Sequence, residues 1–208
     1  MAKSKAGRTR WKRFGVALVP GVVIISGLTA AAANGAVPMS FAISGTAFKV
    51  SADKMVAEDV VQYGGLTQKV GPNSKPIILS GFKTATFDKL CQSVRVPLPF
   101  SIGGKDAVVM VIKSGSASAD DMIADLAQMT GNAVFEGVDI GVDAAATKND
   151  DGSWRGPDMG PRPQGGFAQQ VDKVTVVNAR QTVYAVSAGT FRLPDLDIGV
   201  NFDNKECF

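Results

Sequence analysis

Ser51-Ala52-Asp53-Lys54-Met55-Val56-Ala57 returns as Ser118-Ala119-Asp120-Asp121-Met122-Ile123-Ala124, and its Asp-centred middle returns twice more, as Phe87-Asp88-Lys89-Leu90 and Val171-Asp172-Lys173-Val174. A phrase reused in this way reports architecture, because a small unit that cannot bury its apolar side alone packs against copies of itself. The copies disagree about local conformation. Ser118 followed by Asp121 looks like a capped helix start, and Met122, Ile123, Leu126 and Met129 fall at helical spacing. The copy at Val171-Asp172-Lys173-Val174-Thr175-Val176-Val177 is β-branched and favours a strand. Copies of one unit share a conformation, so all four are read as strands, with a short helix over 119–129 as the alternative.

Working outward, alternating or β-branched runs occur at 39–43, 48–52, 77–79, 94–100, 107–112, 133–142, 174–177, 182–186 and 196–202, each bounded by Gly, Pro, Asn or Asp. Gly45, between the first two, suits a bulge. Many short strands with frequent turn signals predict an all-β domain built from repeats, either stacked in solenoid fashion or folded as two sheets. A second phrase recurs: Val138-Asp139-Ile140-Gly141-Val142-Asp143 and Leu196-Asp197-Ile198-Gly199-Val200-Asn201. Residues 149–166 form one long Gly, Pro and Asp-rich segment around Trp154 and Arg155. Segments of this kind often carry function, so Trp154 and Arg155 are candidate partner contacts. The alternative is a loop tryptophan folded back over an apolar patch.

The formal charge of +3 hides an asymmetry. Lys3, Lys5, Arg8, Arg10, Lys12 and Arg13 precede a stretch from Phe14 to Phe48 with no charged residue, and the remainder of the chain holds 16 Lys and Arg against 19 Asp and Glu. A slightly acidic domain with scattered bases is a poor match for nucleic acid, which needs a clustered positive surface. Residues 14–37 are long and apolar enough to span a bilayer, with all nearby positive charge on the N-terminal side. The expected organisation is a basic cytoplasmic tail at 1–13, a transmembrane helix at 14–37 and an extracytoplasmic domain at 38–208. The alternative is a signal peptide cleaved near Ala31-Ala32-Ala33, which leaves a secreted domain. Either route exports the domain, and in an oxidising compartment Cys91 and Cys207 have one connectivity available, a disulfide. The alternative is a pair of buried thiols.

Chemistry is sparse. The chain contains no histidine, which removes the usual hydrolase base and the commonest metal ligand. Gly115-Ser116-Ala117-Ser118-Ala119 lacks the final glycine of a nucleophile elbow, and Ser51-Ala52-Asp53-Lys54 belongs to the repeat. Asp139, Asp143, Asp150 and Asp151 cluster in sequence without the spacing of a known calcium loop, and Asp139 recurs as Asp197 in the repeated phrase, so a structural turn or an outward-facing strand position is expected in place of a calcium site. No catalytic residue, metal site or cofactor is expected.

At Leu90-Cys91-Gln92-Ser93, Gly131-Asn132-Ala133-Val134-Phe135, Asp139-Ile140-Gly141, Gly166-Phe167-Ala168-Gln169-Gln170 and Ala188-Gly189-Thr190-Phe191-Arg192-Leu193-Pro194, the chain resembles an uncharacterised family of actinobacterial exported proteins. Members often carry the label cholesterol esterase, and the resemblance implies no particular functional residue. A looser resemblance is to bridge proteins that carry lipopolysaccharide on stacked β units. It implies an interior lined by Phe41, Phe48, Phe82, Phe87, Phe135, Phe167 and Phe191, either a packed core or an apolar groove. The expected function is a non-enzymatic, membrane-tethered envelope protein binding a hydrophobic ligand such as a lipid, or an integral-membrane partner. An assembly component is the second reading, with Gly21, Ser26 and Gly27 supplying a small-residue face for helix packing. A lipid or sterol ester hydrolase is the third.

Overall fold

The computed structural model describes residues 40–41, 46–67, 74–102 and 104–208. The basic tail, the expected membrane or signal segment and Gly45 lie outside these residues. Among the described residues no helix is long and apolar enough to cross a membrane.

The short runs of the sequence merge into four long strands: β2 (Phe48–Leu66), β3 (Pro76–Ile102), β4 (Lys105–Asp143) and β5 (Phe167–Ser187). β1 (Ser40–Phe41) continues the line of β2 along β5, while β6 (Thr190–Arg192) and β7 (Asp197–Asn201) pair with the first half of β4. Every pairing is antiparallel, in the order β4, β3, β2, β5, and β5 then pairs with the second half of β4. The domain is therefore one sheet closed on itself, neither a stack of solenoid turns nor two separate sheets. A step across the ring shows the pitch: Ala124 faces Ser80, Ser80 faces Gln62, Gln62 faces Gln169, and Gln169 faces Ile140, sixteen residues further along β4. At residues 123–126, β4 is paired on both edges. That closure removes the exposed edges of the middle of the sheet.

The copies of the repeated Asp phrase lie along two lines of bends. Asp59, Lys89, Asp121 and Asn178 have φ of 50 to 53° inside continuous strands, a left-handed conformation that, glycine aside, Asn and Asp adopt most easily. The flanking registers place Asp121, Lys83, Asp59, Asp172 and Gly137 in one line across β4, β3, β2, β5 and β4 again, and Gly115, Lys89, Asp53 and Asn178 in a second. Charges in these lines meet across strands: Lys89 lies 2.7 Å from Asp53 and Lys83 lies 2.6 Å from Asp121. Its hydrogen bond to Asp121, and then the charge of that carboxylate, raise the pKa of Lys83. Gly137, at φ +62°, has no room for a Cβ, which would collide with the Asp172 carboxylate.

Each bend spends one extra residue, so core positions advance by two and then by three. The buried sequence runs 48, 50, 52, 55, 57, 60 in β2; 82, 85, 87, 90 in β3; 117, 119, 122, 124, 126 in β4; and 171, 174, 176, 179, 183 in β5. The three-residue step is what made residues 119–129 look helical. They are strand. Phe48, Phe82 and Phe87 are buried in the core and Phe191 packs against it, whereas Phe135 and Phe167 are 42% and 67% exposed. The side chain of Phe41 lies outside the described residues. The interior is thus a packed core, and two of the phenylalanines expected to line it face solvent.

Cys91 and Cys207 form a disulfide, with S–S at 2.04 Å. It lays the C-terminal tail across the outer side of β3, where the Cys207 amide donates to Ser93 Oγ at 3.0 Å and Arg95 Nε donates to Asn204 at 3.3 Å. Lys49 donates to Glu206 at 2.8 Å and to the Phe208 carbonyl at 2.7 Å.

Candidate functional site

The long segment after β4 is a fixed cover over the outer side of the sheet. A single 3-10 turn at Ala144–Ala146 opens it, and the Asp143 carboxylate accepts from the Ala145 amide at 2.9 Å and the Gly165 amide at 3.0 Å, joining its two ends. The bond from Gly165, and then that from Ala145, lower the Asp143 pKa. Beneath the segment Val61, Tyr63, Ala144 and Ala168 form a second small core with Leu79, Val142 and Met159 packed against it. Gly81 of β3 is where the segment comes closest: a Cβ there would meet Met159 Sδ and, at 3.0 Å, Pro157 Cδ.

Arg155 is the pin. Its side chain is 13% exposed, its Nη1 donates to Asp172 at 2.7 Å, and its Nε approaches Asp59 at 3.4 Å as an ion-pair contact without hydrogen-bond alignment. Both acids belong to the first line of bends. Trp154 is 48% exposed, with the Lys148 ammonium 5.0 Å and the Arg162 guanidinium 4.8 Å from its ring centre. The structure therefore places Trp154 at the surface between two cations and Arg155 in an internal ion-pair cluster. Asp139 accepts from Gln170 at 2.9 Å, and Asp151 accepts from the Ser153 amide at 2.9 Å. With Asp143 capping the 3-10 turn, these acids serve local hydrogen bonds. Among the described residues no group of acids and cysteines has metal-binding geometry.

The unusual surface lies at the two sheet edges. Cross-strand partners share a face. Phe135 faces Val174, Val138 faces Val171 and Ile140 faces Gln169, so these β4 side chains point to the core side of the sheet. Among the described residues nothing covers them there: Phe135, Val138 and Ile140 are 42, 40 and 66% exposed. Likewise Val94 of the core faces Met110, which faces Val200, and Gln92 faces Ile112, which faces Ile198. Ile198 and Val200 are 59 and 62% exposed. Residues 127–143 pair only with β5, and β7 pairs only with β4, among the described residues. Each edge thus offers free backbone groups beside an uncovered apolar strip. Each strip includes the isoleucine of one copy of the Asp-Ile-Gly-Val phrase, Ile140 in one and Ile198 in the other.

Sequence reading recorded that phrase as a repeat and missed its exposure. The signal present in the sequence was the acid inside each apolar run, Asp139 and Asp197, of the sort that keeps an exposed strand soluble.

Beyond Gln62, Ser80 and Gln169 the core side continues to Leu66, Ile78 and Phe167, which are 63, 46 and 67% exposed. The Gln62 amide donates to Ser80 Oγ at 2.9 Å, and Gln169 donates to the Gln62 carbonyl oxygen. This polar layer separates the packed core from an open apolar rim. A shallow groove lined by Lys83, Asp121, Ile123, Pro157, Asp158 and Gly189 holds no further reactive pair.

These features define a closed, antiparallel β domain stapled by one disulfide, with an apolar strip at each sheet edge. Over residues 44–208 the chain matches the model of a family of unknown function (DUF6230), and it belongs to that family. The match carries neither a source nor an esterase label. No curated protein and no solved structure matches the chain.

Proposed function

We propose that this is a non-enzymatic, exported envelope protein whose β domain works as a binding and assembly module, engaging a protein partner through the uncovered strands at its sheet edges. The carrying observation is that the core-side apolar pattern runs on past the closed part of the barrel and ends in solvent at Phe135, Val138, Ile140, Ile198 and Val200. Surfaces of this kind mark interaction sites, and a free edge supplies main-chain hydrogen bonds to an added strand. The basic start and uncharged run of the sequence support tethering to a membrane, and the disulfide fits an oxidising compartment. The absence of histidine and of a nucleophile elbow argues against ester hydrolysis.

A second reading, binding of a hydrophobic ligand such as a lipid, is favoured by the rim of Leu66, Ile78, Ile140 and Phe167 above its polar floor. Native mass spectrometry of the full chain extracted in detergent separates the two. The module reading expects a stoichiometric protein complex and no retained lipid. A one-to-one lipid adduct on an otherwise single chain would overturn it.

A further inference from the structure

Resting on that assembly reading, we propose that the partner is a second copy of this chain. The free edge of β4 around Val138–Ile140 in one copy pairs with the free edge of β7 in the next, head to tail. Three observations carry this. First, both edges expose the same side of the sheet, so joining them extends one sheet and sets Phe135, Val138 and Ile140 beside Ile198 and Val200 on one face, where the cross-strand pairs shield one another. Secondly, the left-handed Gly137 and Gly141 limit the β4 edge to a short window, which suits a strand as short as the five-residue β7. Long uninterrupted strands would not follow the bends.

Thirdly, charge selects the pairing. Along the free edge, residues 127–143, the chain carries Glu136, Asp139 and Asp143 and no base. Two β4 edges brought together would set acid against acid, which costs free energy. The β7 end is mixed. Lys113 stands opposite Asp197 in the ladder, Lys105 lies 4.0 Å from Asp203, Arg95 reaches Asn204, and Lys205 follows on the same tail. The acidic β4 edge therefore meets less like charge at the β7 end, where Asp197 and Asp203 already have lysines beside them, than it would at a second β4 edge. Because the two surfaces differ, the contact is heterologous, and it builds chains of copies unless its rotation closes a ring.

The test uses the full chain in detergent, where the only native cysteines are bonded to each other. Ile140→Cys and Ile198→Cys variants are prepared separately, then mixed and mildly oxidised. The mixture is expected to give at least about tenfold more crosslinked dimer than either variant alone, and the double variant a ladder of higher species. An Ile198→Lys variant with an unchanged circular dichroism spectrum is expected to sediment as a single chain where the parent associates. Crosslinking by Ile140→Cys alone, equal to that of the mixture, would overturn the head-to-tail pairing. A parent chain that stays single up to high concentration and gives no crosslink would overturn self-association itself. If such a single chain still captured a different protein in stoichiometric amount, the assembly reading would stand without this inference. A bound lipid in its place would remove both.

Discussion

β4 contains two stretches that share one apolar rhythm and meet different fates. Ala117, Ala119, Met122, Ala124 and Leu126 are buried, with β3 on one edge and β5 or β6 on the other. Ala133, Phe135, Val138 and Ile140 keep the same alternation of two and three residues, point to the same side and lie in solvent beside a single neighbour. Local pattern decides which side of a strand is apolar. Whether that side is covered depends on where the ring closes, and here it closes at residues 123–126. The stretch beyond closure is surplus core surface, and the same holds for β7 at the other end of the strand.

The sharpest way to break this contrast is a pair of alanine substitutions. Phe82→Ala, at 2% exposure in the closed part, is expected to lower stability by about 3–5 kcal/mol. Phe135→Ala, beyond closure, should cost less than about 1 kcal/mol in the single-chain state. Denaturant melts of the two variants at low protein concentration check this, and equal losses would mean that Phe135 is covered after all. Next in size is Cys207→Ser, expected to cost about 2–5 kcal/mol by freeing the tail from β3. Its melting temperature should match that of the reduced parent.

A smaller effect separates a half-covered site from the open edge. Asp125 sits on the outer side of β4 between Leu79 and Ala185, and burial raises its pKa. A carboxyl raised on folding costs stability above its folded pKa and nothing below its unfolded value, so this cost sets in as pH rises through the range from 3.8 upward. Asp125→Asn should therefore melt higher than the parent at pH 7 and equally below pH 3.8. Smallest is the segment cover. Asp143 is lowered by its two amide bonds, so its contribution is present above the ordinary carboxylate range and is lost as pH falls through the lowered value. Asp143→Ala should make residues 149–166 more sensitive to protease at neutral pH, with the melting temperature of the barrel almost unchanged.

Much of this architecture was legible in the residues. The all-β class, the strand conformation of the Asp phrase and the Cys91–Cys207 pairing follow from periodicity, β-branching and the export expected from the N-terminal sequence. Strand length did not, because Asp59, Asp121 and Asn178 look like turn residues and, with Lys89, serve as bends inside continuous strands. A left-handed residue in a ladder and one in a turn have the same sequence signature. Closure was equally hidden, since pairing β4 with both β3 and β5 depends on contacts far apart in sequence. Without it, exposed Phe135 and Phe167 could not be told from buried Phe82 and Phe87. Arg155 likewise stood next to Trp154 as a surface candidate until the fold placed Asp59 and Asp172 around it.

Amide hydrogen exchange along β4 in the full chain at low protein concentration tests the central claim most directly. Residues 117–126, enclosed by the ring, should exchange only through global unfolding, whereas residues 131–141 should exchange much faster and slow down as protein concentration rises. Protection of 131–141 equal to that of 117–126 at every concentration would contradict an open edge beyond the closure.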